Sequence, residues 1–133
     1  MSNLTEICSR WAPKLLSVLR ILTAFLFIAH GTAKFFAYPM SLGFEVKLFS
    51  LIGLAGALEI VGGSLLLLGL FTRPVAFVLS GEMAFAYFMA HAQQGFWPLA
   101  NKGELAVLYC FVFLYLAAAG GGPWSLDRMW RRT

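Results

Sequence analysis

The 23 residues from Leu48 to Leu70 carry a single charge, Glu59, in an otherwise apolar run. At about 1.5 Å per residue, a helix of that length crosses the roughly 30 Å hydrocarbon layer of a bilayer. Its five glycines would be odd in a soluble helix and are common in membrane ones. The rest of the chain has the same character. Of its 133 residues 60% are hydrophobic and 12% charged, which leaves too little polar surface to cover a soluble globule of this size. The expected class is an all-α integral membrane protein.

Three further runs fit the same pattern. One extends from about Ile21 to Tyr38, behind Arg10, Lys14 and Arg20, and carries His30 and Lys34 toward its far end. Its stretch Ile21 to Ala29 has the length of a signal-peptide core, but no small-x-small cleavage site follows, so an uncleaved helix is expected. Gly69 to Pro74 reads as a tight turn, with proline in the first turn of a third helix that reaches about Ala92. That helix holds Glu82 and His91. A polar stretch follows, and a fourth run from Leu105 to about Ala119 ends at Gly120-Gly121-Gly122-Pro123. The expectation is one domain over residues 1–133, a multi-pass four-helix bundle with spans at about 21–38, 48–70, 74–92 and 105–119.

Loop charge sets the expected orientation. With four spans both termini share a side, which would carry Arg10, Lys14, Arg20, Arg73, Arg128, Arg131 and Arg132 against Lys34, Lys47 and Lys102 on the other. That bias places both termini in the cytoplasm. The net charge of +4 is then topological, and no nucleic-acid partner is expected, because the basic residues are split between tails and a turn. Cys8 and Cys110 should not meet in a disulfide, and no C-x-x-C occurs. No zinc spacing, haem ligand pair or nucleotide loop is present either.

Charges inside the membrane mark candidate sites, since each costs a few kcal/mol unless protonated or paired. Glu59 and Glu82 both fall near the midplane, while His30 and Lys34 share one face of the outer half of the first helix. Gly56 and Gly63 flank Glu59 on a smooth face that another helix could approach, so Glu59 should point into the bundle. Glu82 shares a face with Val78, Ala86 and Met89. His91 falls nearly opposite on a regular helix, and whether Glu59 and Glu82 face one cavity is left open. Lys34 and one glutamate form a candidate ion pair. Arg20 is expected to reach the inner headgroups. Trp97, Trp124 and Trp130 suit interfacial anchors, and Met83 and Met89 suit packing or lipid contact. These residues fit a proton-linked quinone site or a proton-coupled transporter of small cations, and a scaffold without a site remains an alternative.

The motifs His30-Gly31-x-x-Lys34-Phe35, Gly56-Ala57-Leu58-Glu59-Ile60, Gly69-Leu70-Phe71-Thr72-Arg73-Pro74, Asn101-Lys102-Gly103-Glu104 and Gly122-Pro123-Trp124-Ser125-Leu126-Asp127 resemble the DoxX family, over about Leu15 to Arg128. The resemblance implies a small four-helix protein of the bacterial inner membrane. It further implies a membrane subunit of a quinone-linked oxidoreductase or oxidative-stress complex, with quinone as a non-covalent ligand and a soluble or membrane redox partner. A homo-oligomer would suit so small a bundle. By motif, His30, Lys34, Glu59 and Glu104 join Glu82 as ligand or proton-relay candidates, and Arg73, Asn101 and Asp127 as structural ones. Asn101 and Glu104 have capping-box spacing, and Asp127 could pair with Arg73 or Arg128.

Overall fold

A computed structural model describes residues 2–131; Arg132, counted above among the basic residues, lies outside them. The described residues are helical, without strands: α1 Ser2–Phe36, α2 Leu51–Leu68, α3 Thr72–Ala86, α4 Pro98–Asn101, α5 Glu104–Ala119 and α6 Leu126–Arg131. α1, α2 and the helical stretch Thr72–Gln94 that begins with α3 are long and apolar enough to cross a membrane. α5, with 16 residues, is apolar but covers only about 24 Å. The bundle therefore has three to four candidate spans.

Local chemistry sets the helix ends. Ser50 caps α2, its Oγ accepting from the Gly53 amide at 3.0 Å. α2 ends in a Schellman turn: Gly69 takes φ 72°, and the Leu70 and Gly69 amides donate to the Leu65 and Leu66 carbonyls. α3 begins immediately afterwards, and its first amides are capped from a distance. Asp127, on α6, accepts from Phe71 N at 2.8 Å and Thr72 N at 2.9 Å. It makes no ion pair with Arg73 or Arg128, contrary to the pairing expected from charge alone.

Two further expectations change. α1 starts at Ser2, some twenty residues before the apolar run, so about 50 Å of helix includes an exposed amphipathic segment ahead of the span. Arg20, expected at the headgroups, is buried at 1% exposure. Its guanidinium donates to Gly121 O and, at 2.7 Å, to Trp124 O. Its planar fork fits those two carbonyls, which belong to a turn without regular secondary structure. Ser17 completes the clamp, donating to Gly121 O and accepting from Trp124 N.

α1 packs chiefly on α2, and α3 on α5, with a lighter α2–α3 contact between these pairs. Phe27 joins α1 to α5 through edge contacts with Tyr109 and Phe113, centroids 5.2 and 4.9 Å away. Leu66, Leu79, Met83 and Leu116 complete the core. Most other large apolar side chains face outward, among them Phe25, Phe77, Phe85 and Phe111. An apolar surface so continuous has lipid as its natural solvent. Trp97, Trp124 and Trp130 are exposed, in keeping with interfacial positions.

Candidate functional site

Small residues bring the two charged helices together. A Cβ on Gly31 would lie 2.9 Å from the Gly56 carbonyl oxygen and 3.1 Å from the Glu59 Cβ, so the α1 and α2 backbones nearly touch there. A Cβ on Gly56 would meet the Phe35 ring at 2.8 Å and Lys34 Cδ at 3.3 Å. Lys34 runs through that gap and donates to Glu59 Oε1 at 2.9 Å and Oε2 at 2.8 Å. It is the one ion pair among the described residues, with the Glu59 side chain 4% exposed. The inward direction of Glu59 and the pairing both match the helical phase.

Glu82 completes the cluster. Both its carboxyl oxygens are buried and accept no hydrogen bond from a protein donor. Its neighbour across the cavity they both line is the Glu59 carboxyl. Glu59 and Glu82 do face one cavity, a groove of about 480 Å³ between α2 and α3. Val78, Ala86 and Met89 line it on the Glu82 side, and Leu54 and Leu58 on the other. A carboxylate with neither oxygen satisfied is costly in such surroundings, so Glu82 either carries a proton or meets a donor that enters the groove.

On the other side of the Lys34–Glu59 pair lies a smaller cavity of about 280 Å³, lined by His30, His91, Lys102 and Tyr109. His91 arrives there through an irregularity that periodicity does not register. Residues Tyr87–His91 form a π turn, which inserts one residue and swings His91 by about 100° from its regular-helix phase. His91 Nδ1 lies 3.1 Å from Asn101 O; as donor to that carbonyl it leaves Nε2 as the acceptor in a neutral ring. Asn101 is fully buried, donates to Tyr87 Oη at 3.1 Å and Gly95 O at 2.9 Å, and accepts from Gly103 N. A Cβ on Gly103 would strike the Tyr87 ring. The Asn101-Lys102-Gly103 motif is therefore a clamp on the π turn. It is not the capping box expected of Asn101 and Glu104, since α5 has Gly103 at its N-cap and no side-chain cap.

The remaining candidates divide. His30 sits edge-on to Tyr109 at 5.8 Å and borders the smaller cavity. Glu104 is exposed and lines neither cavity at the Glu59 cluster, lying instead beside Pro98, Leu99 and Lys102. Arg73 and Asp127 lie at the opposite end of the bundle. Tyr109, which the sequence did not single out, joins core and cavity; its spacing of four from Phe113 gives a stacked ring pair at 5.6 Å. Cys8 and Cys110 are both free. Among the described residues no group of three or more His, Cys, Asp or Glu side chains is placed to hold a metal ion.

Comparison with known proteins matches the DoxX family model over residues 15–92, which takes in α1 beyond its exposed start, α2, α3 and the π turn. The Asn101 and Asp127 motifs fall outside that match. A Haemophilus influenzae protein described as uncharacterized is 48% identical over 132 residues, covering 96% of each chain. A Mycobacterium tuberculosis protein described as an uncharacterized membrane protein is 32% identical over 135 residues, covering 87% of this chain and 81% of its own. No solved structure matches. With the family model covering more than half of its length, the chain belongs to the DoxX family and is a multi-pass integral membrane protein.

Proposed function

We propose that the protein is a four-span subunit of a quinone-linked redox or oxidative-stress system in the bacterial inner membrane, with both termini in the cytoplasm. The quinone ring would sit in the α2–α3 groove. The observation that carries this reading is Glu82, a buried carboxyl without a protein donor at the head of an apolar groove, beside the Lys34–Glu59 pair. Bound there, a quinone would accept two electrons from a partner protein and two protons. Glu82, when protonated, donates a hydrogen bond to a ring carbonyl; once deprotonated, it accepts one from the hydroxyl that replaces it. Lys34 donates two hydrogen bonds to Glu59 and leaves one ammonium hydrogen for the ligand. His30, His91 and Tyr109 offer a hydrogen-bonding path from the outer loop to the pair. The apolar walls at Leu54, Leu58 and Val78 suit a ring and the start of an isoprenoid tail, and a groove of this volume is within the usual range for small-molecule sites.

The same carboxyl favours a second reading, proton-coupled transport, in which a small cation replaces the proton on Glu82 and moves between the two cavities that meet at Lys34–Glu59. Quinone binding by the purified protein in lipid nanodiscs separates the readings. Saturable binding that is lost in folded Glu82→Gln supports the redox role. No quinone binding, together with cation uptake by the reconstituted protein under a proton gradient, supports transport. Neither activity, with Glu59→Gln and Glu82→Gln changing stability alone, leaves a scaffold.

A further inference from the structure

The opposite end of the bundle holds a third cavity, of about 430 Å³, bounded by the α2–α3 turn, the Gly120–Gly122 loop and α6. Arg73, Arg128 and Arg131 all line it and are all exposed. None of them makes an ion pair among the described residues. The neighbouring carboxylate, Asp127, has each oxygen committed to a backbone amide of the α3 start. Its charge therefore stabilises the turn and leaves the three guanidinium groups unneutralised by contact. The loop is shaped around them: Gly120 takes φ 82°, and a Cβ there would stand 3.3 Å from Arg73 Nε. At the back of the cavity the Thr72 hydroxyl is fully buried beside the Asp127 carboxyl, and it makes no hydrogen bond of normal geometry. A cavity with three exposed guanidinium groups, none in a contact ion pair though Asp127 attracts Arg131, and one buried hydroxyl matches a tetrahedral oxyanion, which offers several acceptor oxygens and binds arginine forks in bidentate fashion.

We propose that this cavity binds a phosphate group, gripped by Arg73, Arg128 and Arg131 with the Thr72 hydroxyl behind. The phosphate belongs either to a lipid headgroup or to a soluble phosphate. Exposed Trp124, Met129 and Trp130, next in sequence to residues that line the cavity, suit an interfacial depth, where both sources reach it. The site is independent of the groove at Glu82.

The test uses the full chain in maltoside detergent, with short-chain phosphatidylglycerol, phosphate-free diacylglycerol and inorganic phosphate as probes, read by native mass spectrometry and tryptophan fluorescence. Retention of phosphatidylglycerol over diacylglycerol is expected, weakened by about tenfold in Arg128→Gln/Arg131→Gln. Arg10→Gln/Lys14→Gln removes the same charge from α1 outside the cavity and should bind as wild type does. Arg73→Gln is a second variant from a different element, and unchanged thermal unfolding without ligand verifies the fold of each. Competition by inorganic phosphate assigns the site to a soluble phosphate, and its absence assigns it to the headgroup; either supports the proposal. Equal retention of the two lipids with no phosphate binding, or equal weakening by both double variants, overturns it.

Discussion

Replacing Lys34 by methionine removes the cation that two buried carboxyls share. At 2.8 Å and an effective dielectric constant near 20, the Lys34–Glu59 attraction is ~6 kcal/mol before desolvation is subtracted. Breaking a buried pair from one side costs about 3–5 kcal/mol net, because the survivor is left uncompensated. For Glu59→Gln the structure provides a substitute: Glu82 lies beside Glu59, and Lys34 can turn to it. That variant should therefore lose less than about 2 kcal/mol, the worth of charge-assisted hydrogen bonds partly regained. Glu82→Gln alone should be nearly neutral, while Glu59→Gln/Glu82→Gln strands Lys34 and should cost about 3–5 kcal/mol. The pair is then non-additive by more than about 1 kcal/mol, well beyond the tolerance for independent sites. Unfolding free energies of the four proteins in mixed micelles, followed by circular dichroism, give the cycle. Additivity within about 0.5 kcal/mol, or equal losses for Lys34→Met and Glu59→Gln, would refute the reasoning that Glu82 serves as the second partner.

Arg20→Met removes the donor to the Trp124 carbonyl and one of the two donors to the Gly121 carbonyl, which Ser17 still serves, and should lower stability by about 2–3 kcal/mol, with Arg20→Lys recovering part of it; thermal unfolding reads both. Gly31→Ala drives a methyl against the Gly56 carbonyl and should cost about 1–3 kcal/mol. Gly81→Ala, where nothing lies within 4 Å, should gain up to about 1 kcal/mol from helix propensity. Two changes of identical chemistry thus carry opposite signs, and unfolding midpoints that move in the same direction would contradict the packing described. Burial alone would raise the Asp127 carboxyl, but the Thr72 and Phe71 amides outweigh it and hold it below the usual carboxylate value. A depressed value means that its stabilisation is complete above the unfolded value near 4 and is lost as pH falls through the folded one. Asp127→Asn should weaken the cap by about 1 kcal/mol and flatten that acid limb in a pH series of unfolding midpoints.

The bundle was legible because hydropathy and glycine content respond to the bilayer directly, and the phase of Glu59, Val78 and Ala86 followed from a regular helix. The failures depend on contacts distant in sequence, on local backbone irregularities or on amphipathic turns, none of which a search for apolar runs registers. His91 turned into a cavity because five residues adopted π geometry, and no residue type in Tyr87–His91 announces that. Arg20 looks like any basic residue before a span; only the Gly121–Trp124 loop, about a hundred residues later, makes its burial tolerable. Asn101 and Glu104 had the spacing of a capping box, but the left-handed Lys102 intervenes and carries Asn101 toward Tyr87. Asp127 was recognisable by motif, yet its partners are backbone amides, to which charge counting is blind. The start of α1 was missed because its first turns are amphipathic, and a search for apolar runs passes over them.

The proposed quinone in the groove below Glu82 would stand within reach of the residues that line it. Photolabelling in nanodiscs with a quinone bearing a photoreactive ring tests it most directly, with labelled peptides mapped by mass spectrometry and an unlabelled quinone as competitor. The account predicts competed labelling at Leu58, Val78, Phe85 and Met89, abolished in folded Glu82→Gln. Labelling that resists competition, or that spreads over outward-facing residues such as Phe25 and Phe111, would contradict it.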